Sequence, residues 1–343
     1  MLHYFRWPFL FTGIGLALSL VLGWSYSGTL GGAVSFFLIG VVLSVLEISL
    51  SFDNAIVNAN KLEQMTPEWQ RRFLTWGILI AVFGMRIVFP LLIVVVAAGI
   101  GPWEALKLAA TDPRRYAEII GDAHLSIAAF GGAFLMMVAL SYFIDEGKEV
   151  DWIATLEKRL RRCGSVRGIE LGFVLVVMLV FGAALPAGQM GDFFFAAVGG
   201  LVTFVAVDAL GHVLDRADAS KAVAKGGLGA FMYLEVLDAS FSFDGVIGAF
   251  ALTQNLFLIA IGLGIGAFYV RSMTIMLVEK GTLNEFRYLE HGAFYSILVL
   301  SIIMFSQTMF HVHEVITGLV GAAFIGLALL SSVRHRRNEG SRP

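Results

Sequence analysis

Long apolar runs separated by short polar stretches dominate the chain. Ten stand out, at 8–24, 31–58, 73–100, 122–144, 169–187, 192–214, 229–252, 256–279, 291–309 and 314–333. Most approach the roughly 20 residues a helix needs to cross a bilayer. The pattern predicts an all-α, polytopic integral membrane protein of about ten transmembrane helices. The second and third runs are longer than a crossing requires, which points to tilt or a break. Pro90 is placed to kink the third. The first run follows Arg6 and lacks a small-residue cleavage site, so it reads as a retained span.

Composition strengthens this reading. Of 343 residues, 58% are hydrophobic and only 15% charged, with a mean hydropathy of +0.81. Soluble domains carry roughly 25% charged residues. Cys163 is the one cysteine, so no internal disulfide forms. The frequent glycines suit close packing of membrane helices.

The charges are segregated. Arg6, the loop with Lys61, Arg71 and Arg72, and the linker from Lys148 to Arg167 fall on one side. So do the stretch Arg216–Lys225, the pair Lys280 and Arg287, and the tail from Arg334. The other side carries Lys107, Arg114 and Arg115. By the positive-inside rule both termini are cytoplasmic, in the inner membrane if the cell is bacterial. Within the linker, Trp152, Ile153, Leu156 and Leu160 share a helical face amid basic residues, as in an amphipathic helix on the inner leaflet.

An internal repeat organises the sequence. Glu47-Ile-Ser-Leu-Ser-Phe-Asp53-Asn54 in the second run returns as Asp238-Ala-Ser-Phe-Ser-Phe-Asp244-Gly245 in the seventh. Gly77–Arg86 downstream of the first copy matches Gly262–Arg271 downstream of the second. Five spans separate the copies, so they cross in opposite directions. The expected architecture is an inverted repeat of two five-helix halves, an arrangement common in secondary transporters. Along the chain this gives a first part over 1–168, comprising spans 1–4 and an inner-leaflet linker at 145–168. Residues 169–343 hold span 5, then spans 6–10 and the basic tail.

The repeat carries the candidate chemistry. On a continuous helix Ser44, Glu47, Ser51, Asn54 and Asn58 form one polar stripe, and Glu235, Asp238, Ser242 and Gly245 form its counterpart. Asp53 and Asp244 lie about 120° off these stripes, so they serve other neighbours or the helix opens at Ser-Phe-Asp. Broken helices at transporter sites favour the second option. Five ionised acids, Glu47, Asp53, Glu235, Asp238 and Asp244, would cost on the order of 12–17 kcal/mol facing lipid at mid-membrane. Arg86 and Arg271 compensate at most two of them, as ion pairs or gates. The excess of carboxylate, amide and hydroxyl oxygens suits a hard divalent cation such as Mn²⁺, Ca²⁺ or Mg²⁺. The expected metal ligands are Glu47, Asp53, Asn54, Glu235, Asp238 and Asp244, supported by Ser51, Asn58 and Ser242. The alternative for Asp53 and Asp244 is pairing with Arg86 and Arg271. Asp208 and His212, an i, i+4 pair in span 6, form a possible proton relay. Gly262 and Gly266 read as a packing face. No nucleotide-binding loop or catalytic signature is present, so an enzyme, a prosthetic group and a nucleic-acid partner are not expected.

The segment Glu47–Val57 resembles the signature of the TerC-like family of integral membrane proteins, in the lysine-exporter superfamily. Phe241–Phe250 resembles that family's second acidic segment. The likeness extends over spans 2–4 and 7–10 and is nearest to a longer branch of the family. It implies divalent-cation efflux, chiefly of Mn²⁺, in exchange for protons, with Glu47, Asp53, Asn54, Asp238 and Asp244 as the matching positions. Gly245, where the first copy has Asn54, departs from strict duplication. Two other functions compete: a non-transporting membrane scaffold or assembly factor, and an exporter of small organic solutes.

Overall fold

The computed structural model describes residues 3–77, 79–80, 84, 87–145, 148, 150–164, 166, 168–217, 227–281, 286–310, 312 and 314–340. The chain is all-α, 87% helical, with no strand among the described residues. Among the described residues, seven helices are long and apolar enough to cross a membrane. They lie in Arg6–Ser27, Leu30–Ile48, His124–Ile144, Ala187–Leu210, Leu256–Glu279, Leu289–Gln307 and Leu319–Arg337. The protein is therefore read as an integral membrane protein.

Physical features separate these seven from the ten expected runs. The 169–187 run forms a helix of only 16 residues, Ile169–Ala184. The 229–252 run is a helix of ample length, Leu228–Leu252, but it carries Glu235, Asp238 and Asp244. The 73–100 run contains a π-helical turn at Phe73–Gly77 and an α-helix at Phe89–Ala98, with further π-helical residues at 80, 84, 87 and 88. Pro90 stands in the first turn of that helix, just after the π-helical residues at 87 and 88.

The chain divides into two compact units built from interleaved stretches. The first comprises Met1–Ala55, Pro67–His124 and Glu235–Met276; the second comprises Ile56–Thr66, Leu125–Leu234 and Leu277–Pro343.

The first unit opens with a helical hairpin. Helix α1 (Arg6–Ser27) ends at Gly28, whose φ of 62° is the left-handed conformation a helix C-terminus favours. Thr29 then caps α2 (Leu30–Leu50), its Oγ1 accepting the Gly32 N–H at 3.1 Å. Gly23 lets α1 close on α2, for a Cβ there would stand 2.7 Å from the Gly32 carbonyl and Ala33 Cα. After α3 (Phe52–Glu63) and α4 (Pro67–Arg72), α5 (Phe89–Ala98) leads to two short helices within the predicted loop. These are α6 (Pro102–Thr111) and α7 (Pro113–Asp122). Each starts with proline, and Asp112 caps α7 by accepting the Arg115 N–H. Their apolar faces close over Val94 and Leu256 through Ala105, Tyr116 and Ile120. This unit also contains most of α12 (Leu228–Leu252) and α13 (Leu256–Glu279). Phe268 of α13 stacks on Phe11 of α1, with centroids 3.8 Å apart.

The second unit is centred on α8 (His124–Ile144), whose membrane window is 78% buried. The unit contains α9 (Ala154–Cys163), α10 (Ile169–Ala184), α11 (Ala187–Ala217), α14 (Leu289–Gln307) and α15 (Glu314–Gly340). Small residues bring the helices together: Gly131 and Gly132 of α8 sit under Met304 and Phe305 of α14, and Gly292 of α14 sits against Ala328 of α15. Tyr142 stacks on Phe294 at 3.7 Å between centroids. Helix α9 forms inside the expected linker, with Ile153 and Leu156 exposed.

Candidate functional site

The first acidic motif sits at a joint between two helices. Helix α2 ends at Leu50, and Ser51 adopts φ −97° and ψ 16° before α3 begins at Phe52. Backbone bonds continue on both sides, from Ser51 N to Glu47 O and from Ala55 N to Ser51 O. At the start of α3, Asp53 Oδ1 accepts the Asn54 N–H at 2.8 Å. A carboxylate in the first turn of α3 also faces the positive end of the helix dipole. Thus the helix opens in the first copy as expected. The second copy does not follow, since α12 runs unbroken through Asp238 to Leu252.

The joint aims two side chains at two carboxylates. Ser51 Oγ donates to Glu47 Oε1 at 3.2 Å, and Asn54 Nδ2 donates to Asp238 Oδ1 at 2.6 Å. Glu47, Asp53 and Asn54 are all buried, at 4–5% exposure. The two acidic motifs, nearly two hundred residues apart, therefore meet through Asn54 and Asp238.

Two glycines make room for Glu47. A Cβ at Gly245 of α12 would stand 2.8 Å from Glu47 Oε2, and one at Gly266 of α13 would overlap Glu47 Cβ and Cγ. Gly262 seats Leu43 one turn earlier in the same way. The packing face read from Gly262 and Gly266 is thus a socket for α2. The departure at Gly245 also has a steric reason, because a larger residue there would meet the carboxylate of the other copy.

Two buried oxygens at this site have no hydrogen-bond partner: Asn54 Oδ1 and Glu235 Oε1. Glu235 lies one turn before Asp238 on α12, close to Gly77 of the π-helical turn. Nε of Arg271 on α13 is likewise buried without a partner. Among the described residues, no three His, Cys, Asp or Glu side chains converge as a ready-made metal cage. Arg86 lies outside the described residues, as do the side chains of Asp244, Ser242 and His212. Asn58 is buried but belongs to the second unit. Asp208 is an exposed residue of α11, also in the second unit.

A second polar cluster, in the second unit, is absent from the sequence reading. Glu157 of α9 is 1% exposed and accepts five hydrogen bonds or ion-pair contacts. Lys148 Nζ approaches at 2.6 Å, the Ile153 and Trp152 N–H groups at 2.9 and 3.2 Å, Tyr295 Oη at 3.1 Å and His291 Nε2 at 3.4 Å. Burial alone would raise its pKa, but the bonds from His291, Lys148 and Ile153 outweigh burial and hold it at about 2. Burial pushes the Lys148 ammonium below the ordinary lysine range despite that partner. Arg161 pairs with Asp151 at 2.8 Å beside them. The signal was present in the sequence: Glu157 follows Ile153 by four positions and precedes Leu160 by three, so it shares the apolar face of α9.

The family match falls across both clusters. The chain belongs to the DUF475 family. Its description is a protein of unknown function, and the match spans residues 52–339. No curated protein and no solved structure matches the chain. The DUF475 match begins immediately after Ser51, so it takes in Asp53, Asn54, Glu235 and Asp238 as well as Glu157 and His291. Glu47 precedes it.

Proposed function

We propose that this DUF475 protein is a secondary transporter that exports a hard divalent cation, Mn²⁺ before Ca²⁺ or Mg²⁺, in exchange for protons. The observation that carries the reading is a pair of partnerless buried oxygens: Asn54 Oδ1, on the amide bonded to Asp238, and Glu235 Oε1, one helical turn before Asp238 on α12. Buried polar atoms normally find partners, and an orphaned carbonyl or carboxylate oxygen is a lone pair awaiting a donor or a cation. Carboxylate, amide and hydroxyl oxygens are the donors that Mn²⁺, Mg²⁺ and Ca²⁺ prefer.

Here Glu47, Asp238 and Glu235 supply charge, and Asn54 and Ser51 supply neutral oxygens. Asp53 contributes by holding the α2–α3 joint open. The sequence pattern adds Asp244 and Ser242, whose side chains lie outside the described residues, to the proposed ligands, and Arg271 provides the positive charge that balances the site when the cation leaves. The resemblance to TerC-like exporters points the same way. In this reading the chain crosses the membrane ten times as two inverted five-helix halves. Besides the seven long helices, the crossings are the 73–98 stretch, α10 and α12. Glu235 and Asp238 on α12 face the protein rather than lipid, which lowers the cost of keeping an acidic helix in a membrane. Both termini lie in the cytoplasm, and exchange proceeds by alternating access of the two halves.

The test is tolerance of excess Mn²⁺ in cells expressing wild-type, Glu47→Ala and Asp238→Ala proteins, with membrane levels checked by immunoblot. Both variants should lose protection while remaining in the membrane. Equal protection by all three would overturn the reading, as would the absence of Mn²⁺ uptake by wild-type protein in liposomes.

A further inference from the structure

The buried cluster around His291 is not used by the cation site, and in it one hydroxyl hydrogen faces two acceptors. His291 Nε2 lies 2.9 Å from the Val150 carbonyl and 3.4 Å from Glu157 Oε2. Both are acceptors, so this nitrogen carries a hydrogen. In a neutral imidazole Nδ1 is then a bare lone pair. It faces Tyr142 Oη at 3.4 Å, and the same hydroxyl lies 3.4 Å from Glu290 Oε2. One O–H hydrogen stands between two acceptors and satisfies only one.

A proton on Nδ1 resolves the conflict. Nδ1–H then donates to Tyr142 Oη, and the hydroxyl turns to donate to Glu290. Glu290 also accepts from Asn60 Nδ2 at the end of α3.

Charge leads to the same conclusion. The groups around His291 are Tyr142 of α8, Lys148 and Asp151 of the linker, and Glu157 and Arg161 of α9. Tyr288, Glu290 and Tyr295 of α14 and Glu63 of α3 complete them, with His335 of α15 beyond Tyr288. Lys148 and Arg161 are paired with Glu157 and Asp151. The carboxylate of Glu290 has only the neutral partners Asn60 and Tyr142 among its described contacts. A positive imidazolium on the neighbouring residue supplies the missing charge.

We propose that His291 is the proton-binding site of the exchange cycle, with Tyr142 relaying its charge state to Glu290 and Asn60. The inference deepens the transport reading and rests on it for the word exchange, whereas the proton site itself does not require transport. The sequence pattern had suggested Asp208 and His212 for this role. On proton uptake the Nδ1 lone pair takes H⁺, and the Tyr142 O–H bond rotates without breaking. Loss of the proton returns the hydroxyl to Nδ1 and leaves Glu290 held by Asn60 alone. Asn60 lies in the last turn of α3, so the relay acts on the end of that helix.

Hydrogen–deuterium exchange on the full protein in lipid nanodiscs, corrected for intrinsic rate, tests the site by comparing acidic with neutral buffer. Wild type should show a several-fold slowing on acidification in peptides covering 57–63 and 150–163. His291→Gln should lose that step. Tyr142→Phe should keep it in 150–163 and lose it in 57–63, and this variant serves if His291→Gln does not fold. No step in wild type, an unchanged step in His291→Gln, or an unchanged step in 57–63 of Tyr142→Phe would overturn the proposal. In liposomes, Mn²⁺ uptake by wild type should accelerate with an imposed pH gradient, and uptake by His291→Gln should not. Acceleration retained by His291→Gln also overturns it. Wild-type protein that moves no Mn²⁺ refutes the transport reading, and the exchange step then decides the proton site alone.

Discussion

Asn54 Nδ2 donates to Asp238 Oδ1 at 2.6 Å, so the two copies of the acidic motif are joined by an amide rather than by two opposed carboxylates. The bond neutralises nothing, but it fixes the Asp238 carboxylate and leaves the amide oxygen of Asn54 turned away and without a partner. Removing the donor should be costly. A hydrogen bond to a charged group contributes about 1.5–3 kcal/mol. Asn54→Ala is expected to destabilise the protein by about 1.5–3 kcal/mol, read as a lower thermal unfolding temperature in nanodiscs. Asp238→Ala in the Asn54→Ala background should then cost less than it does alone. Simple additivity of the two losses would mean that the bond contributes nothing.

The sequence made the two motifs legible as a pair, because Ser-Phe-Asp recurs in corresponding apolar runs. Their meeting was legible only as an expectation, since a helical stripe says which residues share a face and not which face finds which. The joint at Ser51 was weakly legible: the angular misfit of Asp53 on a continuous helix suggested it, and the same misfit at Asp244 did not produce a break in α12. The buried cluster around Glu157 was missed for a specific reason. A basic amphipathic helix reads as a surface element, and one acid among its arginines looks like a surface ion pair. Its position on the apolar face, between Ile153 and Leu160, was the discriminating detail. The helices α6 and α7 were missed because ten-residue segments with polar faces fall below any membrane-span pattern, although Gly101-Pro102 and Asp112-Pro113 are good helix starts.

The glycine socket around Glu47 gives a graded prediction. A Cβ at Gly245 meets only the far end of the Glu47 side chain, which rotates away. Gly245→Ala is therefore expected to fold normally yet lose Mn²⁺ tolerance. A Cβ at Gly266 meets the stem of Glu47. Gly266→Ala should destabilise the protein by about 1–3 kcal/mol, the usual cost of overpacking. Thermal unfolding beside the tolerance assay separates the two. Equal loss of stability in both variants would refute the socket.

Acid should attack the second unit at Glu157. Its folded pKa of about 2 lies below the ordinary 4.5, so the unfolded chain binds the proton more readily. The stabilisation is complete above about pH 4.5 and is lost as pH falls toward 2. The difference corresponds to roughly 3 kcal/mol. Glu157→Gln should lower stability at neutral pH and flatten the acid limb of the unfolding curve. Parallel acid limbs for wild type and Glu157→Gln would assign the titration to another group.

Asp53 separates a structural from a ligand role more sharply than any other position. As the acceptor for the Asn54 N–H, it holds the joint between α2 and α3. Asparagine retains that acceptor at a helix start, while alanine does not. A cation ligand, by contrast, needs the charge. If Asp53 acts only at the joint, Asp53→Asn should keep Mn²⁺ tolerance and stability, and Asp53→Ala should lose about 0.5–2 kcal/mol of stability and tolerance with it. If Asp53 also ligates the cation, Asp53→Asn should keep stability and lose tolerance. The described bond of Asp53 is to the N–H of the next residue, Asn54, and asparagine can keep it. Stability and tolerance measured on the same two variants distinguish these cases without knowledge of the transported ion.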